Sequence, residues 1–475
     1  MTQKNPYAAP DAPLPMAQAV PNPRSTTPDD IRNAIQVNGV LWAVGNALTT
    51  GNFILFLGRD LGAAGLALSL LLALPNLAGC LRLFAPWLTR VLGDARRAYL
   101  GLSLVSYAVL LIGLQVIDRR AKDWDSSALA GLIGVIFVHQ LLEYLGQVAQ
   151  WSWFGALVPA EIRGRGFSRR QALQLAFIIP ISWGASYVVD WIAEQGGNRA
   201  FGYSIVHFVG CAALLLSVLS LWPLPAATIA PSSTSSLAEC LAPFRDRAYW
   251  PFLAFRGWLS FANGISQSAQ FLWTKDVLGF TLLTNNIFRT VMQVGQLGTS
   301  VALGKHFDQA GYRRALIAAQ TVVTAGLGFY LLAQPGQFLP WLWIGLGWLC
   351  WSAYAVHNVA LPNLALKFAP PEQRAGYIAA YEALGSLLHA AATIGGGLMF
   401  DWLTKPPSSA TINTITPMMA LTYGCIIMLC LGVIARALAI PLATLIREPA
   451  AKDERGTLSE ENFEASGKPQ PSALL

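Results

Sequence analysis

Long apolar runs, separated by short polar or Gly/Pro-containing stretches, dominate this chain. A helix that crosses a bilayer needs about 20 consecutive, mainly apolar residues. Twelve stretches meet that length, at roughly 36–57, 61–84, 98–117, 128–157, 171–189, 202–222, 249–273, 280–303, 315–334, 339–366, 376–400 and 416–446. The fourth is long and carries His139, Gln140, Glu143, Gln147 and Gln150. Residues 1–32 contain no apolar segment but seven prolines, from Pro6 to Pro28. That composition predicts a disordered leader rather than a signal peptide, and leaves the first span to act as the insertion signal.

The longest connection, 223–248, holds Pro223, Pro225, Pro231 and the run Ser232 to Ser236, the composition of a flexible linker. It divides the chain into an N-terminal bundle of six helices (33–222) and a C-terminal bundle of six (249–446). The tail 447–475, with Glu460, Glu461 and Glu464 among small polar residues, is predicted to be disordered. Two matched segments support a duplication. PAEIRGRGFSRRQAL (159–173) aligns without gaps on PPEQRAGYIAAYEAL (370–384), pairing Glu161 with Glu372 and Arg163 with Arg374. The connections after spans two and eight both end in a double arginine, Arg96-Arg97 and Arg313-Arg314.

Composition sharpens the class. The chain is 54% hydrophobic and only 12% charged, against roughly 25% charged in soluble domains. A soluble enzyme, a disordered scaffold and a nucleic-acid binder are excluded. The formal charge of +7 is accounted for by placement: even-numbered connections hold 14 Lys and Arg, odd-numbered ones 7. By the positive-inside rule the even connections and both termini are cytoplasmic, in a multi-pass protein of the plasma membrane. Five of the six cysteines lie in apolar runs, and no CxxC or Cys/His spacing suggests a metal site.

Intramembrane polar residues mark candidate function, because burying them in hydrocarbon is costly. In the seventh span Arg256, Ser260, Asn263, Gln267, Gln270 and Thr274 fall on one helical face. In the fourth, His139 and Glu143 stand at i and i+4, followed by Gln147. A mid-span carboxylate is a natural proton carrier, so Glu143 is the proton-coupling candidate, with a structural ion pair as the plainer reading. Arg289 in the eighth span cannot discharge and needs a carboxylate or an anionic ligand. Asn46 in the first span and Tyr354 and Asn358 in the tenth complete the candidate substrate-binding set. Arg82 and Arg436 are expected to snorkel toward head groups, and His207 to be simple packing.

Gly304-Lys-His-Phe-Asp308-Gln-Ala-Gly311-Tyr-Arg313-Arg314 is similar to the G-x-x-x-D-[RK]-x-G-x-R-[RK] loop of the major facilitator superfamily, with Gln309 the one departure. The first-half copy keeps Gly93, Arg96 and Arg97, but Arg90 stands where Asp is expected. Twelve spans, a central linker and a six-plus-six duplication resemble the same family over about residues 33–446. The resemblance implies an all-α membrane fold, alternating access about a midplane site, a cavity lined by helices one, four, seven and ten, and a cytoplasmic gate at these loops. Signatures of drug antiporters, peptide transporters and sugar porters are missing. The expectation is a monomeric secondary transporter in the lipid bilayer, moving a small polar or anionic solute, with H+ as a candidate coupling ion. It needs no cofactor or metal and has no nucleic-acid partner. Efflux of amphipathic cations and a non-transporting sensor on the same fold are the alternatives. A membrane-embedded enzyme finds no HExxH or GxSxG to support it.

Overall fold

The computed structural model describes residues 27–84, 94–120, 126–157, 160–226, 241–336, 339–370, 374–405 and 416–446. All regular structure among them is helical. The first helix, α1, runs Pro28–Thr49 and so begins inside the stretch read as leader. Thr27 explains the start: its hydroxyl accepts from the Asp30 amide at 3.2 Å, and the Asp30 carboxylate takes the Thr27 amide at 3.0 Å. After an interruption at Thr50-Gly51 the helix resumes as α2, Asn52–Asp60. Then come α3 (Gly65–Gly79), α4 (Ala95–Arg120), α5 (Ser126–Leu157), α6 (Ala160–Glu194) and α7 (Arg199–Leu219). The later part holds α8 (Trp250–Gly264), α9 (Gln267–Leu272), α10 (Leu282–Ala310) and α11 (Tyr312–Leu332). It ends with α12 (Pro340–Cys350), α13 (Tyr354–Phe368), α14 (Arg374–Thr404) and α15 (Pro417–Thr444).

Eight helical stretches among the described residues are long and apolar enough to cross a bilayer. The other four predicted spans depart from an unbroken apolar helix for visible reasons. The second is a 15-residue helix continued by a 3-10 turn, Cys80–Phe84. The eighth, α10, is long but rich in Asn, Gln and Arg. The seventh and tenth are broken at Ile265-Ser266 and at the 3-10 turn Trp351–Ala353. Irregular backbone at membrane depth survives only where protein or a cavity supplies its partners.

Large apolar side chains point outward, among them Ile112, Phe208, Trp402 and Tyr423. An apolar girdle of this kind is a liability in water and the normal surface in lipid. Inside, one core cluster extends across helices from both parts of the sequence. A second, separate cluster gathers Tyr249, Phe252, Tyr377 and Tyr381 near the even-connection ends of α8 and α14. The earlier helices pack as α1 on α6 and α7 and α4 on α5 and α7, the later ones as α8 on α14 and α15 and α11 on α12 and α15. Contacts between the two sets run chiefly through α3 on α14 and α6 on α10.

Candidate functional site

Two polar cavities lie at mid-depth. The first, of about 190 Å³, is bounded by α1, α6 and α10 and lined by Trp42, Asn46, Thr50, Ser182, Asn286, Arg289, Thr290 and Gln293. Its shape depends on the interruption after α1. Gly51 adopts φ +57°, and a Cβ there would come within 2.6 Å of Arg289 Nη1. Glycine thus serves both the left-handed turn and the space for the guanidinium. Asn46 Oδ1 accepts from the Thr50 hydroxyl at 2.6 Å, and Asn286 Oδ1 accepts from Asn52 at 2.8 Å. Thr290 Oγ1 accepts from the Trp183 indole at 3.0 Å.

Trp42 forms one wall of this cavity and also reaches away from it, donating its indole N–H to Glu143 Oε1 at 2.7 Å. Glu143 therefore does not pair with Arg289. It stands 3.0 Å from His139 Nε2, both side chains being buried, and accepts from Gln147 at 3.3 Å. The other imidazole nitrogen, Nδ1, is 2.8 Å from Ser106 Oγ, which is also 3.0 Å from the His139 carbonyl.

The second cavity, of about 170 Å³, belongs to the later helices and is lined by Arg256, Asn263, Tyr354, His357, Asn358, Tyr381 and Glu382. Arg256 Nη2 is 3.6 Å from Glu382 Oε2, and its guanidinium lies over the Tyr381 ring. Asn263 Oδ1 accepts from Tyr354 at 2.7 Å and from Arg436 Nε at 3.0 Å. The seventh-span stripe is thus divided by the break in its helix. Arg256 and Asn263 face the cavity, while Gln267 is bonded to His389 at 2.9 Å and Gln270 to Ser266 at 2.9 Å.

The fold agrees with that of known proteins. The model of the Major Facilitator Superfamily matches residues 38–393. The chain belongs to the major facilitator superfamily. The nucleoside transporter NupG superposes with a TM-score of 0.61 at 15% identity, covering 87% of this chain and 98% of that one. The inward-open xylose transporter XylE from E. coli gives 0.59 at 16%, covering 91% and 100%. A bacterial homologue of the human lysosomal transporter Spinster, inward-facing and unoccupied, gives 0.60 at 14%, covering 88% and 99%. No curated protein matches the sequence significantly. As a superfamily member with transporter neighbours, this is a multi-pass membrane transporter by fold and not an enzyme.

The superfamily loop is described in part. Gly311 links α10 to α11 at φ +83°, and Arg313 and Arg314 are exposed. Gly93 and Glu372 lie outside the described residues, as do the side chains of Glu161, Arg163, Asp308 and Arg374 and the surroundings of Gly304. Arg96 donates to the Trp222 carbonyl at 2.7 Å, and Arg97 pairs with Asp94 at 3.3 Å.

Three features escaped sequence reasoning. Arg436 does not snorkel: it is buried, bonded to Asn263 and set over the Trp351 ring. His207 is not lone packing, since its Nδ1 is 3.1 Å from Asp118 in a fully buried pair. The third is a charge cluster at the odd-connection end. Asp60 takes Lys275, Arg199 and the Tyr203 hydroxyl; Arg59 bonds Asp276 at 2.7 Å; Asp190 takes Arg199 and the Leu283 amide. Adjacent opposite charges at span ends, Arg59-Asp60 and Lys275-Asp276, were the available signal.

Proposed function

We propose that the protein is a secondary active transporter that carries a small polar or anionic solute across the plasma membrane by alternating access. Two six-helix bundles rock about the mid-depth cavities, with both termini and the even connections cytoplasmic. The observation that carries this reading is the asymmetry of closure: polar cavities at mid-depth lie beneath an odd-connection end tied by ion pairs between early and late helices. We read these ties as a closure of the odd-connection end, and transport requires those pairs to part.

Coupling to protons is assigned to Glu143 with His139. A carboxylate 3.0 Å from an imidazole, shielded from water, is placed to take up and release a proton, and its net charge changes by one when it does. Efflux of amphipathic cations draws less support, because the mid-depth carboxylate is already engaged by His139, Trp42 and Gln147. The protein reconstituted in liposomes tests the reading. Solute flux should depend on a pH gradient, and Glu143→Gln should flatten that dependence. An unchanged pH profile removes the coupling role, and a folded protein with no flux favours a sensor.

A further inference from the structure

The basic side chains at membrane depth differ in one respect. Arg59, Arg199, Lys275 and Arg256 each have a carboxylate within ion-pair reach. Arg170 and Arg436 have amide oxygens, on Asn38 and Asn263. Among the described residues Arg289 has neither an ion pair nor a hydrogen bond, and no acid lines its cavity. Three of the cavity's side-chain oxygens already accept from neighbours: Asn46 Oδ1 from Thr50, Asn286 Oδ1 from Asn52 and Thr290 Oγ1 from Trp183. The acceptors that line the cavity are all neutral, so none of them balances the guanidinium charge. Its cation cannot be removed by deprotonation.

From this we infer that Arg289 receives the carboxylate of a small monoanionic organic acid. The planar guanidinium fork matches a carboxylate through two parallel hydrogen bonds. The charge count selects a monoanion. One positive charge with no neighbouring acid is balanced by a single negative one, whereas a phosphate dianion would leave a buried excess charge. The Asn46 and Gln293 amides and the Trp42 face then border the rest of the molecule. The second cavity holds no such vacancy in charge, because Arg256 already faces Glu382. The inference rests on reading this cavity as the solute's and gives that solute a chemical class.

The test is titration calorimetry on the full chain in detergent at constant ionic strength. Probes are acetate, lactate and benzoate, the matching neutral amides, and inorganic phosphate and sulfate. Carboxylates should bind, their amides should not, and phosphate and sulfate should bind more weakly. Arg289→Gln should raise the carboxylate Kd roughly a hundredfold. Arg289→Lys keeps the charge and guards against misfolding; it should bind measurably but more weakly than the native protein. Amides binding as well as acids overturns the proposal. So does native affinity in Arg289→Gln or Arg289→Lys, stronger binding of phosphate, or no binding by any of the three carboxylates. Flux of the labelled carboxylate in liposomes separates the two readings. Arg289-dependent binding without flux defeats the transporter and keeps the anion site. Flux of a neutral solute, unaltered in Arg289→Lys, does the reverse.

Discussion

The two ends of the molecule use the same residue types to opposite effect. At the odd-connection end, Arg59, Arg199 and Lys275 find acids on distant helices, so that Asp60 of α2 is held by the start of α7 and by the segment after α9. Further bonds repeat this crossing. Asn286 reaches Ser186 at 2.7 Å, the Leu283 amide reaches Asp190 at 3.0 Å, and the Leu66 amide reaches Asp401 at 2.8 Å. At the even-connection end Arg97 pairs with Asp94, three residues back, and the Arg96 guanidinium donates to the Trp222 carbonyl, both within the early helices. A charge fixes the relation between two bodies only when its partner stands on the other body.

The strongest way to break this contrast is Asp60→Asn. Lys275 and the Tyr203 hydroxyl lose their acid while Arg199 keeps Asp190, and Lys275 is left partly buried without a full counter-charge. The closed arrangement should weaken by about 3 kcal/mol. Spin labels placed across the odd-connection end should then report a longer, broader distance distribution, while labels at the other end should move closer together. An unchanged distribution would remove the cluster from the gate.

Exchanging the pair sharpens the same point. Asp60→Lys with Lys275→Asp should recover part of the stability lost in either single variant, with a coupling of about 1–2 kcal/mol by thermal or denaturant unfolding. Strict additivity would mean that the two side chains do not act on one another. A smaller effect is expected at Asn286→Ala, which removes the bonds to Ser186 and Asn52: about 1 kcal/mol, without loss of the fold. Arg97→Ala is the lower bound. Its pair with Asp94 is mostly exposed, so stability should change by less than about 0.5 kcal/mol. A loss as large as that of Asp60→Asn would erase the difference between the ends.

Much of the fold could be read from the chain because lipid imposes length and polarity rules on each segment separately. The eight long apolar stretches follow those rules, and the loop at 304–314 pointed to the family. What escaped depends on relations between segments. The stripe from Arg256 to Thr274 was continuous on an ideal helix, but the break at Ile265-Ser266 turned Gln267 toward His389. Nothing in the spacing of the sequence brought Glu382 to Arg256, which it faces at 3.6 Å. Arg436 sat close enough to a helix end to suggest snorkelling, and only the packing of α15 against α8 brings it to Asn263. Arg289 read as needing a carboxylate or an anionic ligand, and the mid-span acid Glu143 is instead engaged by Trp42, His139 and Gln147.

On the proposal that Arg289 seats an anion in an alternating-access carrier, its guanidinium also makes the molecule an electrical device. Carrying one elementary charge through a full membrane potential of 100 mV involves about 2.3 kcal/mol. With an anion seated, the charge at that depth is cancelled, and rocking the bundles displaces little net charge there. When the cavity is empty, the same motion drags a positive charge through part of the field. Voltage then acts mainly on the return of the unloaded carrier, and current relaxations recorded without solute should shrink as solute is added.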